Sequence, residues 1–143
     1  MNPNRKGNEK RFSNVEVKVQ ANLEELSRAA ASEFLRQAGR AVQAKGLFSV
    51  ALSGGSTPKS LYSLLANDSS FRAEIPWDKS HFFWGDERHV PPGHPEGNYR
   101  TTQEAMLSKV PIPSENIHRI GAENPNARGS PKNTRRRCEP FSA

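Results

Sequence analysis

Val50-Ala51-Leu52-Ser53-Gly54-Gly55-Ser56-Thr57-Pro58 is the stretch that decides the fold. Leu47 to Leu52 is a short apolar run that includes Phe48 and Val50, with glycines on both sides. A run so bounded predicts a buried strand. Gly54-Gly55 permits a tight turn and lets backbone come close to a ligand. Ser56 or Thr57 is a good helix N-cap, and Pro58 suits the first helical position. Leu61, Leu64 and Leu65 then recur at helical spacing, which predicts a helix from about Pro58 to Ala66. The first N–H groups of a helix have no internal partner, and the helix dipole adds partial positive charge there. A strand, a glycine turn and a capped helix start therefore suit an anion such as phosphate. A plain strand-to-helix turn would use the same glycines.

Upstream, Val15, Val17 and Val19 alternate with Glu16 and Lys18, which predicts a half-exposed edge strand. Asn22 followed by Glu25 resembles a capping box. A helix is expected from Leu23 to Lys45, with Leu26, Ala30, Phe34, Ala38 and Ala41 as its apolar face and Gly46 as its stop. Downstream, Asn67 to Ser70 reads as a loop and Phe71 to Trp77 as irregular, with Pro76 breaking any helix. His81-Phe82-Phe83-Trp84 predicts a second short strand, running into Gly85-Asp86-Glu87-Arg88-His89-Val90-Pro91-Pro92. Asn98 to Leu107 predicts a helix, and Asn116 to Ile120 a small strand. Strands alternating with helices give a parallel α/β sheet. In such sheets ligands sit beyond the carboxyl ends of the strands. The glycine turn and the turn at residues 85–88 both leave such ends, so both are expected at one crevice.

The chain has 143 residues, enough for one domain with a core, but only 34% are hydrophobic. The deficit lies at the ends. Arg5, Lys6, Lys10 and Arg11 face only Glu9 in residues 1–11. Arg128, Lys132, Arg135, Arg136 and Arg137 face only Glu139 in residues 128–143. The two ends together carry +7 and the body between them −1, which gives the net charge of +6. A basic stripe along a fold suggests nucleic acid, and basic ends support it less. Residues 1–13 are expected to be a disordered leader, and residues 128–143 an aberrant or disordered basic tail. Cys138 is the only cysteine, so an intrachain disulfide is excluded. No apolar run approaches the length of a membrane helix, and the basic N-terminus has no apolar stretch behind it. A cytoplasmic protein without membrane or nucleic-acid partners is expected.

Asp86, Glu87 and Arg88 are adjacent charges at a strand end. A carboxylate serves as a base or positions water, and Arg grips phosphate or carboxylate with a bidentate fork. A solvated loop with a local ion pair is the alternative. His89 and His94 lie near Asp86, but their spacing matches no compact zinc motif, so no metal is expected. His81 and His118 read as strand residues with satisfied rings, and Trp77 and Trp84 as core. Cys138 reads as an idle thiol in an arginine-rich tail.

Four strings now carry a resemblance. They are Ser53-Gly54-Gly55-Ser56-Thr57-Pro58, Phe83-Trp84-Gly85-Asp86-Glu87-Arg88-His89-Val90-Pro91, Asn98-Tyr99-Arg100 and Ile117-His118-Arg119-Ile120. In order and rough spacing they resemble the 6-phosphogluconolactonase family over about residues 15–127. The sister glucosamine-6-phosphate deaminases share the glycine turn but usually have an aromatic residue where this chain has Arg88.

The resemblance implies a Rossmann-like parallel sheet with flanking helices, related to the ribose-5-phosphate isomerase and CoA transferase fold. It implies hydrolysis of 6-phospho-D-glucono-1,5-lactone in the oxidative pentose phosphate pathway, without a cofactor. It places Ser53, Gly54, Gly55, Ser56, Thr57, Arg88 and Asn98 at the phosphosugar and gives Asp86 and Arg88 catalytic positions. Gly97 departs from the family, where Ser often precedes the asparagine. A second family signature, a glycine turn followed by Asp-Gly-His-Thr, holds the expected general-base histidine, and residues 1–143 do not contain it. Residues 14–127 are therefore expected to be a partial domain, truncated at its C-terminus, with impaired turnover. A non-catalytic phosphosugar-binding fragment is the alternative. From about Arg128 or Gly129 the text is expected to be a shifted reading frame. A permitted choice of codons for Ser130 to Ser142, read one nucleotide earlier, encodes an amphipathic, acidic helix.

Overall fold

The computed structural model of the chain describes residues 17–124. The leader, Val15, Cys138 and the basic tail with its frame-shift expectation lie outside the described residues.

Helix α1 runs from Leu23 to Lys45. Asn22 caps it, its side chain accepting the Glu25 backbone N–H at 2.9 Å. The Glu25 carboxylate reaches back to the Ala21 N–H at 3.4 Å, one residue short of the capping-box partner. Gly46 ends the helix in the left-handed region, φ 77°, where a Cβ is costly. Strand β1 follows at Phe48–Leu52. Helix α2 spans Ser56–Asn67 and α3 spans Ser69–Glu74. A 3-10 turn at Trp77–Lys79 leads into β2, Ser80–Trp84. Helix α4 covers Asn98–Ala105, and two further 3-10 turns precede β3 at Ile117–His118.

The three strands lie in the order β1-β2-β3, all parallel. Val50 aligns with Phe82, and Phe82 with Ile117. Side chains alternate across a strand, so Phe48, Val50, Leu52, Phe82 and Trp84 share one face. That face packs on α1 and α2 through Ala31, Phe34, Tyr62 and Leu65. Phe34 meets Phe48 edge-on at 5.2 Å between ring centres. Trp77 and Trp84 are core residues, as their sequence context predicts.

Several expectations need correction. No strand forms at residues 17–20, and Val17 and Val19 are 79% and 88% exposed. Alternation alone does not make a strand; a partner edge must be present, and none of the described strands pairs there. The buried face of α1 is Ser27, Ala31 and Ala38, one residue round from the predicted face at its N-terminal end. Leu26 is 41% exposed. Helix α2 begins two residues early, with Gly55 as N-cap at φ 110° and no side-chain cap bond. Pro58 is thus its third residue, still within the first turn where no N–H is required. The stretch read as loop and irregular chain contains α3, because the Asp68 side chain accepts the Ser70 N–H at 3.0 Å and starts a helix.

Candidate functional site

The site forms where β1 and β2 end. Past Leu52 the chain turns at Ser53, which Tyr62 of α2 pins from below. The Tyr62 hydroxyl accepts the Ser53 N–H at 3.0 Å and donates to the Ser53 carbonyl at 2.8 Å. Burial raises the Tyr62 phenol above its ordinary pKa, which keeps that donor proton in place. The Gly85 N–H continues the parallel pairing by donating to the Leu52 carbonyl at 3.1 Å. The two turns therefore leave the sheet side by side.

Asn98 joins them. It is buried at the first residue of α4. Its Nδ2 donates to the Asp86 carbonyl at 3.2 Å and approaches Asp86 Oδ1 at 3.4 Å. Its side chain lies so close to Gly54 that a Cβ there would sit 1.9 Å from Asn98 Oδ1. Gly54 is required by this close approach, and Gly55 by its positive φ.

Glu87 fixes the loop from the other side. Its Oε1 accepts the N–H groups of Arg88 and Asn98, both at 2.7 Å, and its Oε2 accepts that of Tyr99 at 2.8 Å. Arg100 of α4 donates to the Gly93 carbonyl at 2.7 Å and pairs with Glu104 at 2.6 Å. With the Asn98–Asp86 bond, these hold residues 85–97 against α4 at three points.

Between these elements lies a cleft of about 560 Å³. Gly55, Ser56 and Lys59 form one wall, and Arg88, Glu96, Asn98 and Thr101 the other. The start of α2, with an uncapped Gly55, opens beside the cationic groups of Lys59 and Arg88. That combination suits an anion at one end, with Glu96, Asn98 and Thr101 offering hydrogen bonds to hydroxyls.

Of the residues singled out in the sequence, Gly55, Ser56, Arg88 and Asn98 line the cleft. Gly54 sits behind Asn98, and Ser53 is held by its backbone. Thr57 is exposed on the first turn of α2 and is not in the wall. Asp86 is exposed and held by Asn98, two residues from Arg88. His89 and His94 are exposed, and His94 Nδ1 accepts the Glu96 N–H at 3.3 Å. His81 and His118 meet on the far face of the sheet, ring nitrogens 3.1 Å apart, with Phe83 stacked on His118 at 4.4 Å. Sequence reasoning missed Lys59, Glu96, Thr101 and Tyr62. Lys59 lies three residues after Ser56, and Thr101 three after Asn98, so helical spacing was the available signal. Tyr62 and Glu87 act through bonds between distant segments, which spacing does not reveal.

Residues 21–140 match the family of glucosamine-6-phosphate isomerases and 6-phosphogluconolactonases. The chain belongs to this family. It is 50% identical over 80 residues to the 6-phosphogluconolactonase of a Nostoc species, covering 56% of this chain and 31% of that relative. It is 51% identical over 75 residues to the Haemophilus influenzae 6-phosphogluconolactonase, covering 52% and 32%. The crystal structure of the Thermotoga maritima 6-phosphogluconolactonase superposes with a TM-score of 0.66 at 29% identity, over 76% of this chain and 48% of that one. The parallel sheet with flanking helices is thus the family fold. The matched region spans about a third of the length of these two sequence relatives.

Proposed function

We propose that this chain binds a phosphorylated sugar lactone in the cleft between α2 and α4 and takes part in hydrolysis of 6-phospho-D-glucono-1,5-lactone. The observation that carries this reading is the Asn98 junction. It brings the glycine turn and the Asp86-Glu87-Arg88 loop to one cleft, and those two strings carry the family resemblance. The phosphate sits at the start of α2, between Gly55, Ser56, Lys59 and Arg88. Sugar oxygens face Asn98, Thr101 and Glu96. Asp86 lies close to Arg88 in the chain with one carboxylate oxygen near Asn98, a position from which it orients an attacking water. Opening the lactone needs only water and proton transfers, so this reading calls for no cofactor. The setting is cytoplasmic, in the pentose phosphate pathway; among the described residues no helix is long and apolar enough to cross a membrane.

A second reading is binding with little turnover. It is favoured by the lining of the cleft, which among the described residues offers no imidazole to take a proton from water. General-base catalysis contributes about 10²–10⁴-fold, so its loss is plain in a coupled assay. Calorimetry with 6-phosphogluconate and a lactonase assay on the 143-residue chain test both. Saturable binding with hydrolysis near the spontaneous rate supports the second reading, and hydrolysis well above it the first. No binding rejects both.

A further inference from the structure

Helix α4 begins without a cap of its own. Its N-cap residue is Gly97, which offers no side-chain acceptor. The first N–H groups of a helix need partners from elsewhere. Here they find them in the loop upstream. Both oxygens of the half-buried Glu87 are engaged, Oε1 by Asn98 N–H at 2.7 Å and Oε2 by Tyr99 N–H at 2.8 Å. Oε1 also takes the Arg88 N–H at 2.7 Å. A carboxylate at a helix N-terminus is favoured by the dipole as well as by the hydrogen bonds.

We propose that Glu87 is a positioning residue for the cleft: its carboxylate joins the segment 86–88 to the first turn of α4 and so fixes Asp86, Arg88 and Asn98 relative to one another. The consequence follows from chain connectivity. Asp86 and Arg88 flank Glu87 directly, so holding the Glu87 side chain on α4 leaves the two flanking residues little freedom. Asn98 is held twice, by its backbone on Glu87 and by its side chain on Asp86. The Asn98 side chain in turn lies against Gly54. One carboxylate therefore ties together the wall that carries Arg88 and Asn98, and it reaches the glycine turn only through the Asn98 side chain. Glu87 itself is not among the residues that line the cleft, so its effect on a ligand runs through Arg88 and Asn98.

The inference rests on the cleft being the phosphosugar site, and the test separates the two. In the full chain, Glu87→Ala is expected to weaken 6-phosphogluconate binding at least tenfold by calorimetry. Glu87→Gln keeps one carbonyl oxygen as acceptor and is expected to lose at least threefold, but less than Glu87→Ala. Ala105→Gly, which weakens the same helix without touching its start, is expected to bind within twofold of wild type, all at a temperature where circular dichroism shows folded protein. Wild-type affinity in Glu87→Ala overturns the proposal, and so does an equal loss in Ala105→Gly. Should Glu87→Ala not fold, Glu87→Gln decides, with unchanged affinity overturning it. If the wild-type chain does not bind 6-phosphogluconate, the reading of the cleft fails, and amide hydrogen exchange in the free chain decides on Glu87. Asn98 and Tyr99 amides exchanging at least tenfold faster in the variant, with α2 unchanged, support the clamp; unchanged exchange overturns it.

Discussion

A methyl group added at Gly54 would sit 1.9 Å from Asn98 Oδ1, well inside contact distance. Asn98 is buried and bonded to Asp86, so it cannot step aside without breaking the junction. Gly54→Ala is predicted to cost about 1–3 kcal/mol of stability, the usual range for overpacking, and to weaken 6-phosphogluconate binding sharply. Thermal denaturation and calorimetry check both; wild-type binding in the Gly54→Ala variant would take Asn98 out of the account. Tyr62 gives a second prediction. Its hydroxyl satisfies both backbone groups of Ser53. Tyr62→Phe leaves them unpaired, at a predicted cost of about 1–3 kcal/mol, read from the shift in a urea unfolding curve. At this scale the two glycines were legible in the sequence, because only a turn or a close approach explains Gly-Gly between a strand and a helix. Their partner Asn98 was legible only as part of a family string. The contact itself joins Gly54 and Asn98, and no local pattern encodes it.

The elements differ in how fully their sequence determines them. Helix α1 has its cap at Asn22 and its glycine stop at Gly46, both local signals, and its limits follow from them. Its buried face does not, because small residues mark it. Ser27, Ala31 and Ala38 let the helix lie close to the sheet and α2, whereas Leu26 stays outside. Helix α3 was hidden because its start depends on the short side-chain cap of Asp68, which also receives Arg28 of α1 at 3.2 Å. These surface carboxylates supply a pH dependence. Hydrogen bonds from Arg36 and Gln37 lower the Glu33 pKa from 4.5 to about 2. Ser70 first, and then Arg28, lower that of Asp68. A depressed carboxylate stabilises the fold above its unfolded pKa, and that contribution is lost as pH falls through the folded value. The difference in Tm between wild type and Glu33→Gln is therefore predicted to be largest above about pH 5 and to vanish toward about pH 2. The effect is small, since both partners are exposed and screened. A difference that grows on acidification would contradict the assignment.

For the molecule as a whole, the sheet buries one face and leaves part of the other in solvent. Phe48 and Leu52 are buried in β1 while Ser49 and Ala51 are exposed. Among the described strands β1 lies at the edge of the sheet. An exposed edge invites pairing with other chains, and a charge on it opposes that. Ala51→Lys is predicted to reduce aggregation on heating, followed by light scattering, without changing ligand affinity. The parallel order of the sheet was legible from strand and helix alternation, and so was the meeting of the two turns at one crevice. The loop 85–97 and its attachment to α4 were not, because Glu87 and Arg100 act across the fold. The claim that matters most is that this crevice, and not the basic ends, receives the ligand. An NMR titration of the uniformly ¹⁵N-labelled chain with 6-phosphogluconate tests it directly. Saturable shifts confined to residues 54–59, 85–88 and 96–101 are predicted. Shifts concentrated in residues 1–11 and 128–143, or none at all, would contradict the account.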